Sequence, residues 1–224
     1  MTKAQDKTVA VLLERHGRTY AQEAGITVKD TPAPLYQLLV LCTLLSARIS
    51  ASVAVAAAHE LFAAGYRTPR AMSAASRQQR VDALGRGHYR RYDERTATML
   101  GEGAELLTAK YRGDLRRLHD ATDSTPELIR GLQEFPGIGP VGAAIFCREV
   151  QAVWMDVAPF LDQKVADGAS RLGLPAAERA LAGLVSPADL PRLAAACVRA
   201  ALEKGVADEV MAHVVDHSTS AGQG

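Results

Sequence analysis

Two segments of the 224-residue chain contain residues whose types and spacing suit chemistry on an anionic ligand. The first, Phe135-Pro-Gly-Ile-Gly-Pro140, is a turn that leads into a predicted helix, Val141–Gln151. Its glycines have no side chains and permit positive φ, so the backbone amides of residues 137–142 can approach a ligand closely. Because these amides also begin a helix, they indicate an anion site that suits a nucleic-acid phosphate. An ordinary tight turn between two helices is the alternative.

The second segment places Asp162 at the start of a predicted helix that ends near Leu172. An aspartate at such a position caps the helix, and the helix dipole favours its ionised form. A fixed carboxylate can also stabilise positive charge that develops on a sugar, and it can position or activate water. Capping and catalysis are compatible, and the sequence leaves both open.

All the elements that position these residues are predicted to be helices. Aromatic residues make up 5% of the chain, and no run alternates in the manner of a strand. The apolar patterns predict roughly ten to twelve short helices, with uncertain ends. Leu35–Ala47 is apolar all round and is expected to be a buried central helix. Lys7–Tyr20 and Pro159–Leu172 are also predicted to be helices.

Composition restricts the class of protein. With 48% hydrophobic and 23% charged residues, the chain is expected to be globular, and its longest apolar stretch is too short for a membrane span. The absence of an apolar signal core favours the cytoplasm. Three widely spaced cysteines, Cys42, Cys147 and Cys197, predict buried free thiols and no metal or iron–sulfur site. The sequence contains no Gly-x-x-x-x-Gly-Lys loop, so no motif indicates a nucleotide cofactor.

Charge is unevenly distributed although the net charge is only +1. Residues 67–119 contain twelve Lys and Arg against six Asp and Glu, whereas residues 120–224 contain eight against fourteen. The basic stretch is compatible with a surface that faces a polyanion or with a solvated helical face. Asp93 and Glu94 reduce its positive charge and therefore favour the solvated face. The cluster concerned comprises Arg86, Tyr89, Arg90, Arg91, Tyr92 and Arg95.

Four motifs in order resemble those of the helix–hairpin–helix (HhH-GPD) DNA glycosylase superfamily, in particular its endonuclease III-like branch. The family hairpin, apolar-Pro-Gly-apolar-Gly, matches Phe135–Gly139, and the family aspartate that opens a helix ending in Arg-Leu-Gly-Leu matches Asp162. Upstream, Leu38–Arg48 is similar to the family's apolar helix and Leu-Leu-Ser-Ala-Gln turn, and Gly87-His-Tyr89 to its Gly-x-Tyr segment. The resemblance covers roughly residues 30–200.

This resemblance implies an all-α, bilobal fold with an active cleft between the lobes. One lobe would be a helical barrel, residues 31–151, that includes the helix–hairpin–helix at about 124–151. The other would combine residues 1–30 with residues 152–217. Residues 218–224 are expected to form a flexible tail.

The resemblance further implies a DNA repair glycosylase that hydrolyses the N-glycosidic bond of a damaged or mispaired base in double-stranded DNA. Asp162 would be catalytic, and Arg48 would fill the space left by a flipped base. A surface arginine that caps a helix is the alternative for Arg48. The remaining DNA-binding residues would be Pro136, Gly137, Ile138, Gly139, Val141 and Gly142.

Several positions depart from the family pattern. Val141 stands where bifunctional members carry the lysine that forms a Schiff base, and Ala51 replaces an expected acidic residue. The C-terminal quarter has only Cys197, so no iron–sulfur cluster is expected. The expectation is therefore a monofunctional, monomeric, nucleoid-associated enzyme without cofactor. A non-catalytic DNA-binding protein and an all-α interaction scaffold are the alternatives, and Glu134, Glu149 or water remain open as the proton donor to the leaving base.

Overall fold

The computed structural model describes residues 2–220, with side chains as far as residue 214. Within this range the chain contains α-helices, one short 3₁₀ helix at Pro187–Asp189 and no strand, which confirms the all-α prediction. Among the described helices none is long and apolar enough to cross a bilayer. The helices are α1 (Lys3–His16), α2 (Tyr20–Glu23), α3 (Pro32–Leu45), α4 (Ala51–Ala63), α5 (Pro69–Ala74), α6 (Arg77–Arg86), α7 (Asp93–Tyr111), α8 (Arg116–Asp120), α9 (Thr125–Leu132), α10 (Pro140–Val150), α11 (Gln163–Arg171), α12 (Glu178–Ala182), α13 (Leu190–Leu202) and α14 (Lys204–Ser220).

The helices form two compact units. The first contains residues up to Thr19 together with those from Val150 onward, and the second contains Tyr20–Glu149. The short helix α2 belongs to the second unit because it packs against α4 and because the Glu149 carboxylate accepts hydrogen bonds from the amides of Tyr20 and Ala21. The boundaries predicted from sequence, after residues 30 and 151, differ from these.

The second unit is built around α3 and α7. Nine of the fourteen α3 residues are buried, as its all-round hydrophobicity predicted, and α7 packs against α3, α5 and α6. Arg80 of α6 is buried without a carboxylate partner. Its guanidinium donates instead to the carbonyl oxygens of Met72 (2.9 Å), Ala75 (2.7 Å) and Ala97 (2.7 Å), so one side chain joins α5 to α7.

The first unit is built around α13, which packs against α1, α11 and α14. The α11 and α13 backbones touch, because a Cβ at Gly168 would lie 1.8 Å from the carbonyl oxygen of Cys197. Arg192 and Arg199 of α13 donate to carbonyl oxygens of Leu13 and His16 at the end of α1. The core of this unit therefore fixes α11, the helix that begins directly after Asp162.

Three predicted segments differ from the structure. α1 ends at His16 rather than at Tyr20, because Gly17 caps it. α11 begins at Gln163 rather than at Pro159, because side chains bind the backbone of Phe160 and Leu161 and the backbone of Asp162 is extended. Residues 218–220 of the predicted tail belong to α14, and residues 221–224 lie outside the described residues.

Gly168→Ala should destabilise the first unit by about 3 kcal/mol, because the new methyl group meets a backbone carbonyl that cannot move aside. Urea unfolding measures the change. Gly205→Ala is the matched control: a Cβ at this position would have no atom within 4 Å, and alanine favours a helix, so stability should rise by about 0.5 kcal/mol. Equal stability of the two variants would contradict the close α11–α13 contact.

Candidate functional site

The glycine turn predicted from sequence joins α9 to α10. The amide of Ile138 donates to the carbonyl oxygen of Phe135 at 3.0 Å, with Pro136 and Gly137 between them. Gly137 has φ +86°, so the four residues have the proline and the left-handed glycine of a type II turn. Of the two glycines, only Gly137 uses the positive φ that glycine permits, since Gly139 is not in the left-handed region.

One half of this turn is packed and the other half is open. A Cβ at Gly137 would lie 2.9 Å from Cγ2 of Thr43, and a Cβ at Gly142 would lie 2.3 Å from Oγ of Ser46. The Ile138 side chain is 4% exposed, so it anchors the turn and is not available to a ligand. By contrast, no atom lies within 4 Å of a Cβ at Gly139, and Val141 is 62% exposed. The open half is therefore the part that a ligand can approach.

The amides at the start of α10 have no partner within the described chain. Ala143 makes the first bond of the helix, to the carbonyl oxygen of Gly139 at 3.0 Å. No described residue accepts from the N–H groups of Gly139, Val141 or Gly142. A helix start with unpaired amides attracts anions through both the N–H groups and the helix dipole. The expected set of amides, residues 137–142, is smaller by two, because Pro140 lacks an N–H group and the Ile138 amide donates to Phe135.

Arg48 and Gly137 line the same surface pocket, of about 370 Å³. Arg48 lies in the turn between α3 and α4, and its exposed side chain donates to no described residue. Ser46 caps α3 instead, since its backbone amide and its hydroxyl both donate to the carbonyl oxygen of Cys42. Arg48 therefore does not cap α3. Tyr92, directly before α7, and Met99, within α7, line another wall of this pocket.

Asp162 lies in the first unit and caps α11. Its φ and ψ are −70° and 179°, and its Oδ1 accepts from the amide of Val165 at 3.2 Å. The side chain is partly exposed rather than buried among the apolar residues of the core. The prediction that Asp162 starts a helix is confirmed, and its carboxylate has a fixed direction with access to solvent.

Two polar side chains fix the two residues before Asp162. The carboxamide of the fully buried Gln151 accepts from the amide of Phe160 (2.9 Å) and donates to the carbonyl oxygen of Phe160 (3.3 Å). The Glu178 carboxylate accepts from the amide of Leu161 at 3.1 Å. Side chains therefore bind the backbone of Phe160 and Leu161, and the Asp162 side chain binds the amide of Val165 in the first turn of α11. Sequence reasoning did not find Gln151 or Glu178, since neither belongs to a motif.

Both glutamates that are candidate proton donors to the leaving base have other partners in the structure. Glu134 is exposed and forms an ion pair with Lys110. Glu149 is 6% exposed, and its two oxygens accept from the amides of Tyr20 (3.0 Å) and Ala21 (3.3 Å). Both carboxylates act as hydrogen-bond acceptors in these arrangements, so neither geometry indicates a proton donor.

The described residues contain no group of three or more metal-ligating side chains. The three cysteines are free and buried, as predicted. Burial raises the pKa of Cys197 to about 12, so this thiol stays protonated and unreactive at neutral pH.

Comparison with known proteins gives only distant likenesses. No protein-family model matches the chain, and no curated protein matches its sequence. It is similar to a trapped endonuclease III–DNA covalent intermediate in an estranged-adenine complex, with 20% identity and a TM-score of 0.47, over 89% of this chain and 86% of that chain. A non-covalent endonuclease III–DNA complex gives 19% identity with the same TM-score and coverage. These values carry no argument about function, which comes from the chain's own residues.

Gln151→Leu should destabilise the protein by about 2 kcal/mol, because it leaves the N–H and the carbonyl group of Phe160 without partners. Urea unfolding measures the change, and amide hydrogen exchange at Phe160 should accelerate. Gln163→Leu is the control, since the Gln163 side chain is exposed and bonds only within its own helix, to Asp167. If Gln151→Leu is no more destabilising than this control, Gln151 does not fix the segment.

Proposed function

We propose that this protein is a monofunctional DNA repair glycosylase that hydrolyses the N-glycosidic bond of a damaged or mispaired base. One observation carries the proposal: the Pro136–Gly137 turn that precedes α10 leaves the amides of Gly139, Val141 and Gly142 unpaired. This turn has the family hairpin sequence. The same chain has a helix-capping Asp162 at the spacing of the family's catalytic residue.

Phosphate binding is the role of the hairpin in this proposal. The open space at Gly139 allows a phosphate oxygen to reach the backbone, and the dipole of the eleven-residue α10 favours the negative charge. Such contacts do not depend on base identity. They therefore hold the sugar–phosphate backbone of double-stranded DNA in register without selecting a sequence.

Asp162 supplies the chemistry. Cleavage of the bond between base and deoxyribose creates positive charge on the sugar, and a fixed carboxylate stabilises that charge and orients water. The bonds around residues 160–162 keep this carboxylate in one place, which reduces the cost of reorganisation when charge develops. The proton donor to the leaving base would be water, given how Glu134 and Glu149 are engaged.

The proposed reaction includes no lyase step. Val141 occupies the family position of the Schiff-base lysine. Lys164 and Lys110, two of the six lysines, form ion pairs with Asp167 and Glu134. In this proposal the enzyme acts as a monomer without metal or cofactor, in the cytoplasm at the nucleoid, on DNA that contains a lesion or mismatch.

A DNA-binding protein without catalysis is the second candidate. Val141 and Ala51 favour it, because each replaces a residue that the family pattern would place near the chemistry. This candidate keeps the same hairpin contacts and assigns only the capping role to Asp162. The two candidates differ in whether abasic sites are formed.

Asp162→Asn should lower base release at least about 100-fold while DNA affinity is retained, because asparagine caps a helix as well as aspartate does and only the charge is lost. The measurement uses duplexes that contain different lesions or mismatches and counts abasic sites by alkaline cleavage. Asp167→Asn, on the same helix, is the matched control and should leave the rate unchanged. Unchanged turnover in Asp162→Asn would assign the reaction to another residue.

Absence of product from every duplex, together with salt-sensitive binding by both proteins, would support the non-catalytic candidate. Borohydride added during turnover should trap no protein–DNA adduct. A trapped adduct would contradict the monofunctional proposal.

Gly139→Val should weaken DNA binding about tenfold for all sequences alike, because the side chain fills the space through which phosphate reaches the amides. Fluorescence anisotropy at constant salt measures the affinity. The fold should be kept, since the position is open and its φ is not left-handed. Gly205→Val, at an equally open site in α14, should bind normally. A loss confined to certain sequences would contradict phosphate binding by the hairpin.

A further inference from the structure

The pocket that contains Arg48 and Gly137 has two guanidinium groups without partners. Arg48 and Arg95 both line it, both are exposed, and neither has a hydrogen bond or ion pair with a described residue. No aspartate or glutamate is among the lining residues. Their positive charges are therefore available to a ligand that enters the pocket.

Acidic residues near the basic stretch have hydrogen-bond or ion-pair partners of their own. Glu94 forms an ion pair with Arg77, and the Asp93 carboxylate accepts from the amide of Glu94 at 2.8 Å. Arg86 pairs with Glu60 at 2.9 Å. Arg77 and Arg86 are thus paired with glutamates, whereas Arg95 in the pocket wall is not.

The rest of the wall suits a flat ring. Tyr92 is half-buried, and the Arg91 guanidinium lies 5.2 Å from its ring centroid, which restrains the ring. Met99 adds a second polarisable surface. Buried Tyr89 lies in the wall too, where its hydroxyl receives a bond from Thr96 at 3.3 Å, and burial raises its pKa, so it stays neutral. A nucleobase finds apolar and aromatic contacts here.

The hydroxyl groups of the wall indicate more than a simple anion site. Ser46 and Thr43 already donate their protons to the carbonyl oxygens of Cys42 (2.6 Å) and Leu39 (3.0 Å). Their oxygens can therefore only accept further hydrogen bonds, which suits the N–H groups of a base and not a phosphate oxygen. A ligand that satisfies the whole pocket needs a negative group for the arginines and a ring with N–H donors.

We propose that this pocket binds one deoxynucleotide unit, with its phosphate at Arg48 and Arg95 and its base against Tyr92 and Met99. Its volume of about 370 Å³ is in the range of small-ligand sites. Gly137 is only two residues from Gly139, a separation of at most about 7 Å, so a strand held at the hairpin amides passes the pocket. The choice of a deoxynucleotide rests on the proposed function, whereas the binding itself does not require catalysis.

The test titrates the full-length protein with the four deoxynucleoside monophosphates, with inorganic phosphate and with the free deoxynucleosides, by calorimetry. At least one monophosphate should bind with 1:1 stoichiometry, and phosphate or nucleoside alone should bind at least about tenfold more weakly. Arg95→Gln should weaken monophosphate binding about tenfold through loss of a charged hydrogen bond. Tyr92→Leu should weaken it also, whereas Tyr92→Phe should not, because it keeps the ring.

The matched control is Arg90→Gln, since Arg90 is exposed, belongs to the same basic stretch and does not line the pocket. An equal loss in this variant would overturn the proposal, because the effect would then be one of general charge. Phosphate binding as tight as monophosphate binding would overturn it as well.

A second arm distinguishes a free nucleotide from one within a strand. A duplex with one unpaired nucleotide should bind more tightly than the fully paired duplex, and Arg95→Gln should remove the difference. If this arm alone responds to Arg95→Gln, the pocket takes its nucleotide from a strand only, and the proposal stands. If neither arm responds, it is overturned.

These outcomes are independent of base release. Monophosphate binding that depends on Arg95, in a protein that forms no abasic sites on any duplex, would refute the glycosylase and keep the pocket. Base release by a protein whose nucleotide binding does not depend on Arg95 would support the glycosylase and refute the pocket.

Discussion

The depth of the turn between α9 and α10 depends on one close contact, that of the Gly137 backbone with α3 and α7. Any larger residue would push its Cβ to 2.9 Å from Thr43 and 3.2 Å from the Met99 sulfur, so the turn can lie this deep only with glycine. Because the turn lies deep, Ile138 reaches the core, and α10 begins directly after Gly139 with Val141 exposed. The unpaired amides are thus a consequence of rigid packing, and a ligand meets them already in place.

The first unit reaches a comparable rigidity by another route. Here polar side chains bind the backbone directly: Gln151 holds Phe160, Glu178 holds Leu161, and Asp162 caps its own helix. A buried carboxamide such as that of Gln151 is costly unless both its donor and its acceptor are used, so the arrangement has few alternatives of similar energy. The position of the Asp162 carboxylate is therefore set by the segment before it as well as by α11.

Local pattern predicted much of this from sequence. The buried α3 follows from an unbroken apolar run, and the cap at Asp162 from its residue type and place. Sequence reasoning missed the roles of Arg80 and Gln151, because each side chain bonds to backbone outside any motif. Such bonds have no periodicity, and a lone glutamine or arginine reads as a surface residue.

The arginines show why charge counts alone do not locate a binding surface. The basic stretch from residue 67 to residue 119 contains Arg80, whose charge is used on three carbonyl oxygens, and Arg77 and Arg86, whose charges are used on glutamates. Arg95 alone of these four lies in a pocket wall without a partner among the described residues, and Arg48, from outside the stretch, joins it there. The electrostatic field that a phosphate meets is produced by the unpaired charges, which only the tertiary structure identifies.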